Sequence, residues 1–254
     1  MEKSTLRICS RSVAGIRPVN EDTCGVQQYD HPLGTVTLLA VADGLGGHPA
    51  GEVASALAVA TLIKVTGESL PLLQDLGAES LQMLMESAFR EANNAVIAEG
   101  DSDVRCWGLG TTLVAALVSP ADACIIGNIG DSRAYLVSHR AHRITRDHSR
   151  VQELVDAGVL TPAEAEQHPM KNIVTRIIGR TGEVPDIFAC SLKDARLLLC
   201  SDGLMDGLGE QDIVPVMRGI GLPGICDRLV ERAFEKSRDN ITVVVAEWTG
   251  GNDR

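Results

Sequence analysis

The chain has 254 residues, 44% hydrophobic and 22% charged, enough for one large domain or two small ones around a substantial core. Its net charge of −11 disfavours nucleic acid and anionic membranes as main partners, since both repel an acidic surface. Aromatic residues make up only 3%, so Leu, Val, Ile and Ala must build the core.

The first seven residues contain no apolar signal segment, and runs such as residues 36–42 are too short to span a bilayer, so a cytoplasmic location is expected. Next comes Arg17-Pro-Val-Asn-Glu21-Asp22, two acids at the edge of an apolar segment. Residues 36–42 read as a strand buried on both faces, because the apolar run is continuous. That run stops at Asp43-Gly44, passes a glycine-rich corner through His48, and continues as a helix. Asp-Gly alone is a common turn signal. An aspartate closing a buried strand, however, needs a partner to offset its burial.

Helical spacing puts Val53, Leu57 and Ala60 on one core-facing stripe. A second stripe comprises Leu81, Leu84, Met85, Ala88, Phe89 and Ala92. Residues 111–118, 123–129 and 133–138 read as three strands whose short connections exclude parallel pairing, and an antiparallel meander is expected. Asp131 lies at the second of those junctions. Residues 148–179 carry Pro162, Pro169 and many charges, and read as an excursion from the sheets, a flap over a site. His148 within it reads as a turn or capping element, and Arg133 and Arg176 as members of internal ion pairs.

Arg196–Cys200 then repeats the earlier pattern, a buried strand running into Ser201-Asp202-Gly203. Leu222, Ile225, Cys226, Leu229, Val230 and Ala233 form a third stripe, and Asp239-Asn240 precedes a last strand, Ile241–Trp248. The seven cysteines are odd in number, scattered and without a Cys-x-x-Cys pair, which argues against a disulfide framework and against a structural zinc site. Sheets buried on both sides with two blocks of helices predict a layered α+β architecture in one domain.

Asp43, Asp202, Asp131, Asp239, Glu21 and Asp22 all sit at the edges of apolar segments beside Gly, Asn or Ser, unlike surface acids alternating with Lys and Arg. Such oxygen donors suit Mg²⁺ or Mn²⁺. Two such ions about 3.5–4 Å apart depress the pKa of a shared water, and they offset the repulsion between an acidic protein and a phosphoryl group. No nucleophilic Cys-x5-Arg loop is read, since the two matches in spacing, Cys190 to Arg196 and Cys226 to Arg232, contain no glycine to let a backbone wrap a phosphate. With no Ser-His-Asp elbow either, the fitting chemistry is attack on phosphorus by metal-activated water.

In these motifs the chain resembles the PP2C (PPM) family of metal-dependent Ser/Thr protein phosphatases, in its bacterial single-domain form. The resemblance runs from Arg17-x-x-Asn-Glu-Asp22 through Asp43-Gly-Leu-Gly-Gly-His48, Gly51-Glu-x-Ala-Ser55, Gly110-Thr-Thr112, Gly130-Asp-Ser-Arg133, Asp147-His-Ser149 and Ser201-Asp-Gly203 to Asp239-Asn240. Leu45 and Leu109 replace methionines usual in bacterial members, a volume-conserving change. The resemblance implies a four-layer α-β-β-α sandwich, two antiparallel sheets flanked by helix pairs, with a flap. It implies that Asp43 bridges two metals, the Gly44 carbonyl ligates one, and Asp202 and Asp239 complete the pair. Glu21 or Asp22 would act directly or through water, and Asp131 with Asp202 would hold a weaker third ion. Arg17 would grip phosphate, and His48 would be a general acid, a residue ordering a metal-bound water, or a structural histidine at the helix entrance. Thr111 and Thr112 would pack near the site. The implied partners are phosphorylated Ser/Thr proteins and a cognate kinase, met as a monomer. The alternative is an inactive relative serving as a binding module, which should have lost Asp43, Asp202 or Asp239; all three are present.

Overall fold

The strands fall into two antiparallel sheets because their continuous apolar runs have two faces to bury. The computed structural model describes residues 5–45, 49–102, 108–120 and 123–249. One sheet has the order β1 (Leu6–Val13), β11 (Ile241–Trp248), β10 (Arg196–Cys200), β7 (Arg133–Val137), β8 (Ala141–Arg143). The other runs β2 (Asp22–Tyr29), β3 (Val36–Leu45), β5 (Leu113–Val118), β6 (Cys124–Ile129), β9 (Asp186–Cys190), with β4 (Gly110–Thr111) paired to the end of β3. Alternation along each strand divides the residues between layers. In β3, Leu39 and Val41 meet Leu197, Leu199, Val244 and Ala246 between the sheets, while Leu38 and Ala40 face the helices outside. In β10 and β11, Leu198, Val243 and Val245 face the opposite helix layer.

Helices α1 (Pro49–Ser69) and α2 (Ala78–Ser102) cover the second sheet. The first is covered by α5 (Asp202–Gly207), α6 (Glu210–Met217) and α7 (Leu222–Phe234). The expected four-layer α-β-β-α sandwich is the observed architecture. The stripes expected for α2 and α7 are buried residue for residue.

Four expectations are corrected. Val53 is 37% exposed and Ala60 is exposed, and the buried face of α1 is instead Ala54, Ser55, Ala58, Val59 and Leu62. The helix is apolar nearly all round, so several stripes fit its period, and small residues allowing close approach to the sheet decide which faces in. The same helix with its following turn, residues 51–72, is long and apolar enough by length and composition to cross a membrane, contrary to the expectation from the shorter runs. In the fold it is a core helix, with Ala54, Ala58 and Leu62 fully buried.

The three-strand meander also fails: β5 and β6 pair, but β7 pairs with β10 and β8 in the other sheet. Gly130 makes the crossing, at φ +111°, where a Cβ would stand 2.5 Å from Thr112 Cβ. Finally, Cys9 on β1 is disulfide-bonded to Cys226 on α7. At a sequence separation of 217, spacing gave no sign of the pair. Cys24 and Cys200 carry free thiols.

The corrected face of α1 has a direct check by urea unfolding. Leu62→Ala should cost about 2–5 kcal/mol, and Val53→Ala less than about 0.5 kcal/mol.

Candidate metal centre

The carboxylates expected at the site are gathered at one end of the two sheets by backbone register. In the β2–β3 ladder Asp22 stands directly opposite Asp43, so both side chains emerge on the same face. Strand β10 ends at Cys200, and Ser201, the residue before α5, hands Asp202 to the first turn of that helix. Asp239 precedes β11, and Asp131 follows Gly130 on the crossing between sheets.

The two sheets are joined through Ser201. Its hydroxyl donates to Asp22 Oδ2 at 2.7 Å and accepts from the Thr242 N–H at 3.1 Å. The second oxygen, Asp22 Oδ1, is buried and has no hydrogen-bond partner among the described residues. Asp43 is held by its backbone: its N–H donates to Thr112 Oγ1 at 3.0 Å, and its carbonyl accepts from Thr112 N and Thr111 Oγ1, each at 2.8 Å. Thr112 Oγ1 in turn meets Ser132 Oγ at 2.7 Å. Thr111 and Thr112 are therefore more than nearby packing; they fix the strand end that presents Asp43.

Gly44 has no space for a side chain, since a Cβ would lie 2.1 Å from Gly51 O and 2.7 Å from Glu21 O. Its N–H donates to the Glu21 carbonyl at 3.2 Å, and Ser55 Oγ donates to that same oxygen at 2.6 Å. Of the two neighbouring acids, Asp22 is the buried one that interacts with Asp43 and Asp202. The Glu21 carboxyl lies beside Gly51 in α1, and its charge acts on Arg17.

Asn240 is a functional residue that sequence reasoning named only as part of a motif. Its amide donates to the carbonyls of Ala14 and Val19, both at 2.9 Å, and accepts from Glu21 N–H at 2.8 Å. One side chain thus ties the loop carrying Arg17 and Glu21 to the loop carrying Asp239. The Asp-Asn pairing was its visible signal; its partners, over two hundred residues away, were not.

Arg17 stands at the exposed rim, donating from Nη2 to Asp239 Oδ2 at 2.8 Å and from Nε to the Arg238 carbonyl at 3.2 Å. Asp239, Glu21 and Asp202 all favour its charge. Arg133 binds Asp147 through Nε and Nη2 (2.6 Å for the shortest contact), and Arg176 pairs with Glu183 and Asp186, the internal pairing expected of both. Ser149, not His148, caps helix α3 (Arg150–Asp156) by accepting from Gln152 N–H. His148 lies against the Asp131 turn instead. His48 lies outside the described residues.

Burial and mutual repulsion push these carboxyls toward the protonated form. Burial raises Asp22 to about 7, with Asp202 and Asp239 adding to the effect. Asp43 and Asp131 are raised well above the ordinary carboxylate range, first by burial and then by neighbouring aspartates, and Asp202 is raised too. The charge of Asp202 is among those that favour a proton on Asp43. A divalent cation does what those protons do, balancing charge while accepting oxygen donors. The donor chemistry fits Mg²⁺ or Mn²⁺: carboxylates, the Gly44 carbonyl, and the unpartnered Asp22 Oδ1. Among the described residues no group of three or more His, Cys, Asp or Glu side chains is placed to hold an ion in this structure; the Gly44 carbonyl and water are the further donors such an ion would use.

Comparison with known proteins bears on this arrangement. Residues 16–223 match the family described as Protein phosphatase 2C. The chain is 36% identical over 239 residues to the serine/threonine phosphatase stp of Listeria monocytogenes, covering 91% of both proteins. Its structure is similar to serine/threonine phosphatase Stp1 from Staphylococcus aureus, with TM-score 0.86, 32% identity and coverage of 96% and 95% of the two chains. It is also similar to the catalytic domain of serine threonine protein phosphatase PstP in complex with two manganese ions, with TM-score 0.81, 34% identity and coverage of 96% and 99%.

The raised Asp22 has a measurable consequence. A carboxyl protonated in the folded state stabilises the fold fully below its unfolded pKa of 3.8, and that contribution is lost as pH rises through about 7. With chelator present, melting temperature of the wild type should fall relative to Asp22→Asn between those pH values. Adding Mn²⁺ should flatten the difference. Parallel wild-type and variant curves in chelator would remove Asp22 from the cluster.

Proposed function

Because the chain belongs to the protein phosphatase 2C family and is a protein serine/threonine phosphatase, we propose that the aspartate cluster is its catalytic metal centre. The observation carrying this reading is the convergence from both sheets of Asp22, which is buried, with Asp43 and Asp202, which are half-buried, on one patch whose mutual repulsion protons or cations would offset. Asp22, Asp43, Asp202 and Asp239 with the Gly44 carbonyl would hold two Mn²⁺ or Mg²⁺ ions, Glu21 would act through water, and Asp131 with Asp202 would hold a weaker third. When bound, such ions provide activation of water near neutral pH and positive charge against a phosphoryl group.

The chain's own residues orient the substrate. Arg17 is half exposed, and its planar fork suits phosphate oxygens at the rim. Its present bond to Asp239 sets its guanidinium beside the aspartates. Thr111, Thr112 and Asn240 keep the ligating loops from drifting, which lets a phosphoryl group be met by groups already in place. Residues 148–179 would form a flap along one side. Its Lys171 Nζ donates to Asp206 Oδ1 at 3.1 Å, on the helix that begins with Asp202. The same reading has the enzyme acting as a cytoplasmic monomer on phosphorylated Ser/Thr proteins, reversing the work of a kinase. Its acidic charge supports separation from nucleic acid and anionic lipid.

Purified protein should hydrolyse p-nitrophenyl phosphate and a phosphothreonine peptide with Mn²⁺ or Mg²⁺, and stop on chelation. Asp43→Asn and Asp202→Ala should each cost well over the roughly 10–100-fold typical of outer-shell residues. Metal-independent turnover, or unimpaired variants, would count against the centre. Lys171→Ala should change KM for the phosphopeptide more than for p-nitrophenyl phosphate; equal changes would detach the flap from substrate selection.

A further inference from the structure

A buried imidazole at the first residue of the flap faces the Asp131 turn, with a directed contact at each ring nitrogen. His148 is 8% exposed. Its backbone N–H donates to the Gly130 carbonyl at 2.9 Å, and the Gly130 N–H donates back to Nδ1 at 3.0 Å. Nδ1 is therefore an acceptor, and the single proton of the neutral ring sits on Nε2. Nε2 lies 3.2 Å from Asp186 Oδ2 at the start of β9. The other Asp186 oxygen accepts from Arg176 Nη1 at 2.8 Å. Arg176 Nη1 is also 2.8 Å from Nε2, so two donors meet there and the Asp186 carboxylate serves both. Arg176 is anchored further by Glu183 and by the Val184 carbonyl. The His148 carbonyl accepts from Thr175 N–H at 2.8 Å, adding a second strand of attachment to the flap.

Burial and the Arg176 charge hold the His148 pKa below its ordinary value despite the opposing pull of Asp186, in keeping with a ring that must accept at Nδ1. A histidine that merely filled core space would require neither contact. In the turn it grips, Gly130 occupies a backbone region open mainly to glycine, and its carbonyl also accepts from Asn128 Nδ2 at 3.2 Å.

We propose that His148 is a positioning residue that couples the seating of the flap, through Asp186 and Arg176, to the turn presenting Asp131. Resting on the phosphatase reading, this makes the placement of Asp131 depend on where the flap lies. A change at Asp186 should then be felt at Gly130, although the two residues do not share a bond in this network.

Amide hydrogen exchange of a peptide covering residues 128–134 tests this in chelator, without turnover. Asp186→Asn should speed exchange on the order of tenfold, the scale of outer-shell effects. In His148→Asn, the amide oxygen replaces Nδ1 as acceptor for Gly130 but cannot reach Asp186, so the turn should remain protected and Asp186→Asn should add nothing. No effect of Asp186→Asn in the wild type, or an equal effect in both backgrounds, would overturn the proposal. If His148→Asn fails to fold, Arg176→Lys takes its place: it keeps the charge but loses the fork, and should speed exchange at the turn, while unchanged exchange there would overturn the proposal. The expected exchange pattern in a protein without phosphatase activity would sink the functional reading and leave the coupling standing.

Discussion

Asp22 and Asp43 face each other across β2 and β3, in the pairing where like charges most disfavour a sheet. Much of the surrounding structure bears on that unfavourable pair. Ser201 reaches from the other sheet to one Asp22 oxygen, Thr111 and Thr112 fix the Asp43 backbone, and Asn240 holds the loop leading into β2. A chain already carrying a net charge of −11 gains nothing in stability by burying more acids. The cluster is intelligible as a place built to receive positive charge, and the protons now favoured on its carboxyls mark where that charge belongs.

The strand ends that carry the aspartates were more legible than the packing around them, for a physical reason. Asp43, Asp202 and Asp239 each interrupt or adjoin a buried strand beside Gly or Asn, a local conflict visible within a few residues. The strands themselves were also plain, because burial on both faces leaves uninterrupted apolar runs. What escaped was everything decided by contacts distant in sequence. Helix α1 offered several apolar stripes, and only the sheet beneath it selected Ala54, Ala58 and Leu62. The short link at Gly130 looked like a hairpin, but it crosses between sheets. Asn240 and the Cys9–Cys226 pair make their bonds across more than two hundred residues. Glu21 and Asp22, left open as alternatives, were separated only by register: one sits against Gly51 and the other enters the buried cluster.

The supporting network is divided between rigid and adaptable parts. Strand ends and saturated side-chain bonds place Asp22 and Asp43, so their geometry comes with the core. Asp131 instead rides on a turn, and Arg17 on an exposed loop. Pre-organised groups lose less on meeting a ligand, while loop-borne groups allow exchange and release.

The Ser201 hydroxyl has a consequence for the layer beneath it. It belongs to one sheet and donates to an acid in the other, so its bond length depends on how far apart Leu39 and Val41 sit from Leu199 and Val244. The hydrocarbon between the sheets is thus a spacer for the oxygen atoms above it. Mg²⁺ demands shorter and stricter oxygen contacts than larger divalent ions tolerate. Under the proposed metal centre, ion preference would be set partly by the aliphatic core, and a methyl group between the sheets would bear on the coordination chemistry.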